Sequence, residues 1–186
     1  MRILLVRHGK PDGVDGAPIS GNAIGAWVRA YDSAGITRTC EPPPRARELA
    51  AAANCIVASD RPRARESAAW LAGAKHVRLD ADLREAALPD SLGTSRRLPP
   101  GVWIVLARLA WLANWCESAE TIAATQARAA RMADRLVALA VEHHTVMAIG
   151  HGMFNRFVAR QLQQRGWRGP ALMPHGYWGV AQFDRT

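Results

Sequence analysis

Three places in this 186-residue chain set a cation or an imidazole within three residues of the end of a short apolar run. Ile3-Leu4-Leu5-Val6 stops at Arg7-His8-Gly9. Cys55-Ile56-Val57-Ala58 runs into Ser59-Asp60-Arg61-Pro62-Arg63-Ala64-Arg65. Thr145-Val146-Met147-Ala148-Ile149 runs into Gly150-His151-Gly152. Each run is long enough for a buried strand and too short for a helix by itself. Gly9 would let the backbone turn sharply where the first strand ends. If the three strands are parallel, His8, Arg63 and His151 arrive at one rim from distant parts of the chain. The C-terminal rim is where open α/β sheets bind ligands. Two imidazoles and two or more guanidiniums in one place suit a phosphoryl group. Arginine binds phosphate oxygens bidentately, and a neutral histidine can attack phosphorus as a covalent nucleophile.

On these residues the chain resembles the histidine phosphatase superfamily, which includes the cofactor-dependent phosphoglycerate mutases and acid phosphatases. Leu5-Val6-Arg7-His8-Gly9 is similar to its Arg-His-Gly signature. Ser59 to Ala68 is similar to its second block, a strand-end serine followed by Arg-Ala-x-x-Thr-Ala; in that register Arg63, not Arg61, is the phosphate-binding arginine. Leu83-Arg84-Glu85 resembles the segment carrying the family's acid. The glycine that follows the acid in the family is replaced here by Ala86-Ala87-Leu88-Pro89, so Asp82 stands as a fallback acid. Gly150-His151-Gly152 resembles the second histidine block. Arg-His-Gly alone is a weak signal, whereas four elements in the right order are a strong one.

The resemblance implies an α/β fold, a three-layer α/β/α sandwich with a mostly parallel central sheet and a small lid insert. It implies one domain over residues 1–186 with a helical insert at about 86–116. The implied catalytic set is His8, Glu85, Arg7, Arg63 and His151, with Arg7, Arg63 and His151 holding the phosphate. Ser20 and Asn22 are candidates for the pocket mouth, and Gly152 allows close backbone approach. The expected reaction is phosphomonoester hydrolysis through a phosphohistidine on His8. Glu85 would protonate the leaving oxygen and then activate water, while the cations stabilise the charge on the equatorial oxygens. No metal-ligand cluster and no cofactor are read from the sequence, so the enzyme is expected to be metal-independent. A phosphoglycerate mutase-like phosphotransferase is the runner-up: returning the phosphoryl group to bound product favours a longer enclosing insert, and two helices already take much of the space between Glu85 and His151. A non-catalytic phosphate- or protein-binding module on the same fold is the other alternative, since fold does not fix function.

The elements that must position these residues follow from the patterning. Ser20 is a plausible N-cap for a helix from about Gly21 to Ala34, with Ile24, Trp27, Val28 and Tyr31 at helical spacing. Arg45 opens a short helix to about Ala53. Ser59 or Asp60 caps the helix after the second strand, with Pro62 in its first turn. Its core face continues through Trp70 and Leu71. Val77-Arg78-Leu79 is a short strand. Ser91 to Gly101 reads as an irregular loop ended by Pro99-Pro100. A helix follows from about Val102 to Asn114, with Trp103, Leu106, Ala107, Ala110 and Trp111 on one face. Glu117 to Glu142 is a long helix, capped by Ser118 or starting at Thr121, on which Arg128, Arg131 and Arg135 form a solvated face. Met153 to Gln164 is the last helix and Gly176 to Phe183 a terminal strand, with His175 a rim loop residue.

Whole-chain properties bound the partners. Hydrophobic content of 49% indicates a globular chain. A net charge of +8 favours anionic substrates. The basic residues are scattered and no nucleic-acid motif stands out, so no nucleic-acid partner is expected. The expected partner is a small phosphorylated substrate. Three tryptophans between 103 and 115 make a homodimer interface conceivable. The three cysteines, Cys40, Cys55 and Cys116, are odd in number and lack metal spacing. With no signal peptide or membrane span in view, they point to the cytoplasm.

Overall fold

The apolar strand patterns are satisfied by burial on both faces of a five-stranded sheet. The computed structural model describes residues 1–13, 16–115 and 120–186. Strands β1 (Arg2–Arg7), β3 (Cys55–Ala58), β4 (Val77–Leu79) and β6 (Thr145–Gly150) are parallel, and β7 (Val180–Asp184) is antiparallel. Their order across the sheet is β4-β3-β6-β1-β7. Along β1, Ile3 and Leu5 point to one face and Leu4 and Val6 to the other, all inaccessible to solvent. Continuous apolar runs of this kind belong to parallel strands covered on both sides.

Helices α2 (Pro44–Ala52) and α3 (Pro62–Ala72) cover the Leu4 face. Helices α5 (Ile122–His143) and α6 (Gly152–Gln164) cover the Ile3 face. This is the expected sandwich. The register aligns Arg7 with Gly150 and Ala58 with Ile149. The residues that follow these strand ends therefore emerge side by side.

A third, smaller cluster sits beyond the rim. It joins α1 (Ile24–Ser33), α4 (Pro100–Leu112) and a two-stranded ribbon of β2 (Ile19–Ser20) and β5 (Arg97–Leu98) around Ile24, Trp103 and Ala107. Here the structure corrects several local expectations. Ser20 lies in β2 and makes no capping bond; a 3-10 turn at Gly21–Ala23 precedes α1. The stretch 91–101 is not wholly irregular. It contains β5, and Pro100 starts α4 rather than stopping structure, because the first helical position needs no N–H. On α4 the buried stripe is Trp103, Ala107 and Trp111, four residues apart. Leu106 instead joins Val102, Val105, Leu109 and Leu112 on the exposed side.

Other helix ends also differ. Neither Ser59 nor Asp60 caps α3; Arg61 is its N-cap and Pro62 its first residue. Leu71 is buried, but its neighbour Trp70 is exposed. Helix α5 begins at Ile122, with the Thr121 side chain accepting from the Ala124 N–H at 3.1 Å. Ser118 lies outside the described residues. The terminal strand starts later than the alternating pattern indicates, because Trp178 adopts a left-handed φ of 61° and its N–H donates to the Arg7 carbonyl. Among the described residues no helix is long and apolar enough to cross a membrane.

Candidate active site

The three strand ends converge as their register requires. His8 and His151 are both buried, with ring centroids 5.0 Å apart at 57°. Arg63, on the first turn of α3, has 1% of its surface exposed and aims its Nε–H at His8 Nε2, 3.3 Å away. The other ring nitrogen, Nδ1, lies 2.7 Å from the Gly9 carbonyl. A carbonyl can only accept and a guanidinium N–H can only donate. Nδ1 therefore carries the proton, and the lone pair of Nε2 accepts from Arg63. Burial, with help from Arg63 and Arg7, pushes the His8 pKa down to about 3. The ring is neutral at ordinary pH, as a nucleophile must be.

Two nitrogens at this rim have no hydrogen-bond partner among the described residues. The Arg7 Nε and the His151 Nδ1 are buried without a hydrogen-bond partner. The other His151 nitrogen, Nε2, lies 3.1 Å from the buried Ser59 hydroxyl. Burial, the neighbouring His8 and the nearby guanidiniums hold the His151 pKa well below its ordinary value. Buried polar atoms are rarely left unpaired, so two of them at one rim single it out as the candidate site.

Side chains outside the expected set hold the arginines. Arg63 Nη1 donates to the Tyr31 carbonyl at 3.0 Å and Nη2 to the Asp32 carboxylate at 3.0 Å, while its guanidinium lies 4.5 Å from the Tyr31 ring centre. Asp32 also pairs with Arg61, which is thereby tied to α1. Arg7 stacks on Tyr177 at 4.6 Å and donates to the His175 carbonyl. The Tyr31 pKa is pushed up to about 12, by burial first and then by the Tyr177 hydroxyl. Ser67 binds the Gly9 N–H at 2.8 Å and donates to the Arg63 carbonyl at 2.6 Å, linking the end of β1 to α3. Tyr31, Asp32, Ser67 and Tyr177 were not singled out as site residues. Ser67 carries a legible signal, since it falls one helical turn after Arg63; the others depend on how α1 and the last loop fold back.

Glu85 lies across the first turn of α6. Its carboxylate accepts from the N–H groups of Met153 (3.1 Å), Phe154 (2.8 Å) and its own neighbour Ala86 (3.0 Å). Helix N-termini present such free donors to anions. The preceding residue Gly152 opens α6, and a Cβ there would stand 3.5 Å from Arg7 Nε. Arg84 secures this segment by pairing with Asp60, whose carboxyl it holds below the usual range. Arg128 is not a solvated residue. It donates to the carbonyls of Asp82 (2.7 Å) and Arg84 (2.8 Å) and pairs with Glu120. The Asp82 carboxylate points elsewhere, to Arg135 at 2.6 Å.

The structure thus gathers Arg7, His8, Arg63, His151 and Gly152 at the rim, with Glu85 on the adjoining helix end. It does not bring Ser20 or Asn22 into the hydrogen bonding of that cluster. Both lie by the β2–β5 ribbon, where the Asn22 Oδ1 accepts from the Ser91 hydroxyl at 3.1 Å. Among the described residues no group of three or more His, Cys, Asp or Glu could hold a metal.

A mostly parallel sheet that delivers two histidines and two arginines to one rim defines an α/β protein with a basic candidate site. The family model for histidine phosphatase superfamily (branch 1) matches residues 3–186, and the chain belongs to that superfamily. Solved structures share the fold. A mycobacterial hydrolase is 24% identical with a TM-score of 0.64, covering 97% of this chain and 87% of its own. A mycobacterial glucosyl-3-phosphoglycerate phosphatase is 23% identical with a TM-score of 0.61, covering 97% and 88%. A phosphoserine phosphatase from Entamoeba histolytica is 17% identical with a TM-score of 0.60, covering 98% and 90%. Among curated proteins the chain has no significant match.

Proposed function

We propose that the protein is a metal-independent phosphomonoester hydrolase that works through a phosphohistidine on His8. The observation that carries this reading is the neutral His8 ring, its Nδ1–H committed to Gly9 and its Nε2 lone pair accepting from Arg63, beside buried Arg7 and His151 nitrogens unpaired among the described residues. A phosphoryl group entering there gives those nitrogens oxygens to bind. It also draws the Arg63 Nε–H from the ring to an oxygen, freeing the lone pair. Nε2 then forms a bond to phosphorus as the bond to the leaving oxygen breaks, and Glu85 gives that oxygen its proton. In the second half, the Glu85 carboxylate takes a proton from water. The water oxygen bonds to phosphorus, the P–N bond breaks, and phosphate leaves with His8 neutral again.

Membership of the superfamily and the phosphatases among its structural relatives support this reading. Among the described residues, the stretch after Glu85 and before α5 forms only the two-residue strand β5 and α4. That favours water as the second acceptor over a retained product, and so a hydrolase over a mutase. The proposed substrate is a small phosphorylated molecule. The cysteine usage of the sequence favours a cytoplasmic setting.

Hydrolysis of p-nitrophenyl phosphate by the wild type and by His8→Ala, both in excess chelator, tests the proposal. Wild-type turnover that falls by about 10³-fold or more in the variant is expected. Similar rates for the two proteins would remove His8 as nucleophile. Loss in chelator that added metal restores would remove metal independence.

A further inference from the structure

The phosphate site adjoins a second basic feature that the proposed reaction does not use. A cavity of about 390 Å³ lies between α6 and the loop before β7. Arg156, Arg160, Gln163, Pro170, Met173 and His175 contribute to its walls, and no acidic residue lines it. Arg156 and Arg160 are four residues apart on one helix, so their α-carbons are about 6 Å apart along its axis. Neither has a carboxylate partner among the described residues, whereas Arg128, Arg135 and Arg165 on the same side of the sheet all do.

His175 joins the two sites. Its carbonyl accepts from Arg7, the arginine that faces the phosphate pocket. Its Nδ1 is 2.6 Å from Arg156 Nη2. A guanidinium only donates, so Nδ1 accepts, and the proton of the neutral ring is on Nε2. The cavity therefore offers two guanidiniums without a carboxylate partner among the described residues, and an imidazole N–H. The far end of its loop is fixed by the Gln163 side chain, which donates to the Pro170 carbonyl at 3.0 Å.

We propose that this cavity is a specificity subsite for a second anionic group, carboxylate or phosphoryl, carried by the part of the substrate that leaves as the alcohol. The proposal rests on the phosphatase reading and narrows it to elongated phosphomonoesters with negative charge at both ends. Its volume is that of a small-ligand pocket, which suits a sugar acid or sugar bisphosphate better than a three-carbon compound. Arg156 and Arg160 are assigned to binding and not to the chemical step.

The test compares matched pairs on the full-length protein: 6-phosphogluconate against glucose 6-phosphate, and fructose 1,6-bisphosphate against fructose 6-phosphate. The expected result is a kcat/KM preference of about tenfold or more for the doubly anionic member of at least one pair, the size of one charge-assisted hydrogen bond. The first pair reads a carboxylate and the second a phosphoryl group. In Arg156→Gln/Arg160→Gln the ratio within the preferred pair collapses to near one. No preference in the wild type overturns the proposal. So does a variant in which both members lose activity in proportion, which marks a structural role. Dissociation constants measured by calorimetry on His8→Ala separate the two readings. A preference there without wild-type turnover keeps the subsite and sinks the phosphatase, and turnover without a preference does the reverse.

Discussion

His8 is made a nucleophile by what surrounds it. The Gly9 carbonyl chooses its tautomer, and burial with two guanidiniums keeps it unprotonated. Glu85 is placed by backbone rather than by a side-chain partner, three N–H groups fixing its two oxygens. That placement predicts a leaving-group signature. Glu85→Gln keeps the acceptor oxygen but has no proton to give. Turnover of an alkyl phosphate, whose alkoxide leaves poorly, is expected to fall by about 10²-fold or more, and that of p-nitrophenyl phosphate by much less. Rates of the two esters in wild type and variant provide the comparison, and an equal loss on both would count against an acid role. The missing glycine after Glu85 is also explained at this point. Ala86 is buried and its carbonyl accepts from Arg108 at 3.0 Å, so the turn is held by a bond from α4.

Gly9 matters for where β1 ends, though not as a flexible turn. Its φ is not positive. A Cβ there would stand 2.4 Å from the Trp178 ring, which is itself anchored by its indole N–H to the Cys40 carbonyl at 2.9 Å. The glycine is required because an aromatic side chain from the last loop lies against the strand end. Gly9→Ala is expected to cost about 1–3 kcal/mol by overpacking. The midpoint of urea unfolding measures it, and an unchanged midpoint would show that the Trp178 ring moves aside freely. Trp178 also explains the late start of β7: its backbone N–H is spent on the Arg7 carbonyl, so the chain joins the sheet only after Gly179.

The molecule as a whole carries two neutral imidazoles in its interior, and this links stability to pH. The unfolded chain protonates each histidine below about pH 6.5. In the folded state His8 does so only near 3, and His151 is lowered in the same direction. Below pH 6.5 the unfolded chain therefore binds more protons, and stability rises with pH in that range. The contribution is complete above pH 6.5 and is lost as pH falls toward 3. Each imidazole adds a slope of up to about 1.4 kcal/mol per pH unit. Unfolding free energies by urea at pH 7, 6 and 5 are expected to decline, and His8→Asn should flatten that decline. Equal slopes in the two proteins would mean that His8 titrates alike in the folded and unfolded states. The paired carboxylates Asp60, Asp134 and Asp184 are held low, so their contributions fade only below about pH 4, under the three pH values compared.

The sequence by itself determined the sheet and the chemical cast. Three apolar runs ending in His8, Arg63 and His151 are local patterns, and burial of both strand faces follows from their composition. Their parallel register then leaves the ends little freedom but to meet. Tertiary structure alone decided what holds them. Asp32 and Tyr31 reach Arg63 from α1, Tyr177 and the His175 carbonyl reach Arg7 from the last loop, and Arg128 reaches back from α5 to the segment of Glu85. These partners lie tens of residues or more away in the chain. Their side chains are ordinary loop and helix-surface types, with no periodicity to mark them. Ser20 and Asn22 show the same dependence: the pairing of β2 with β5 and the Ser91 hydroxyl set their neighbours, and neither contact is legible locally. Patterns set by burial are written locally, whereas hydrogen bonds between elements depend on how close the finished packing brings them.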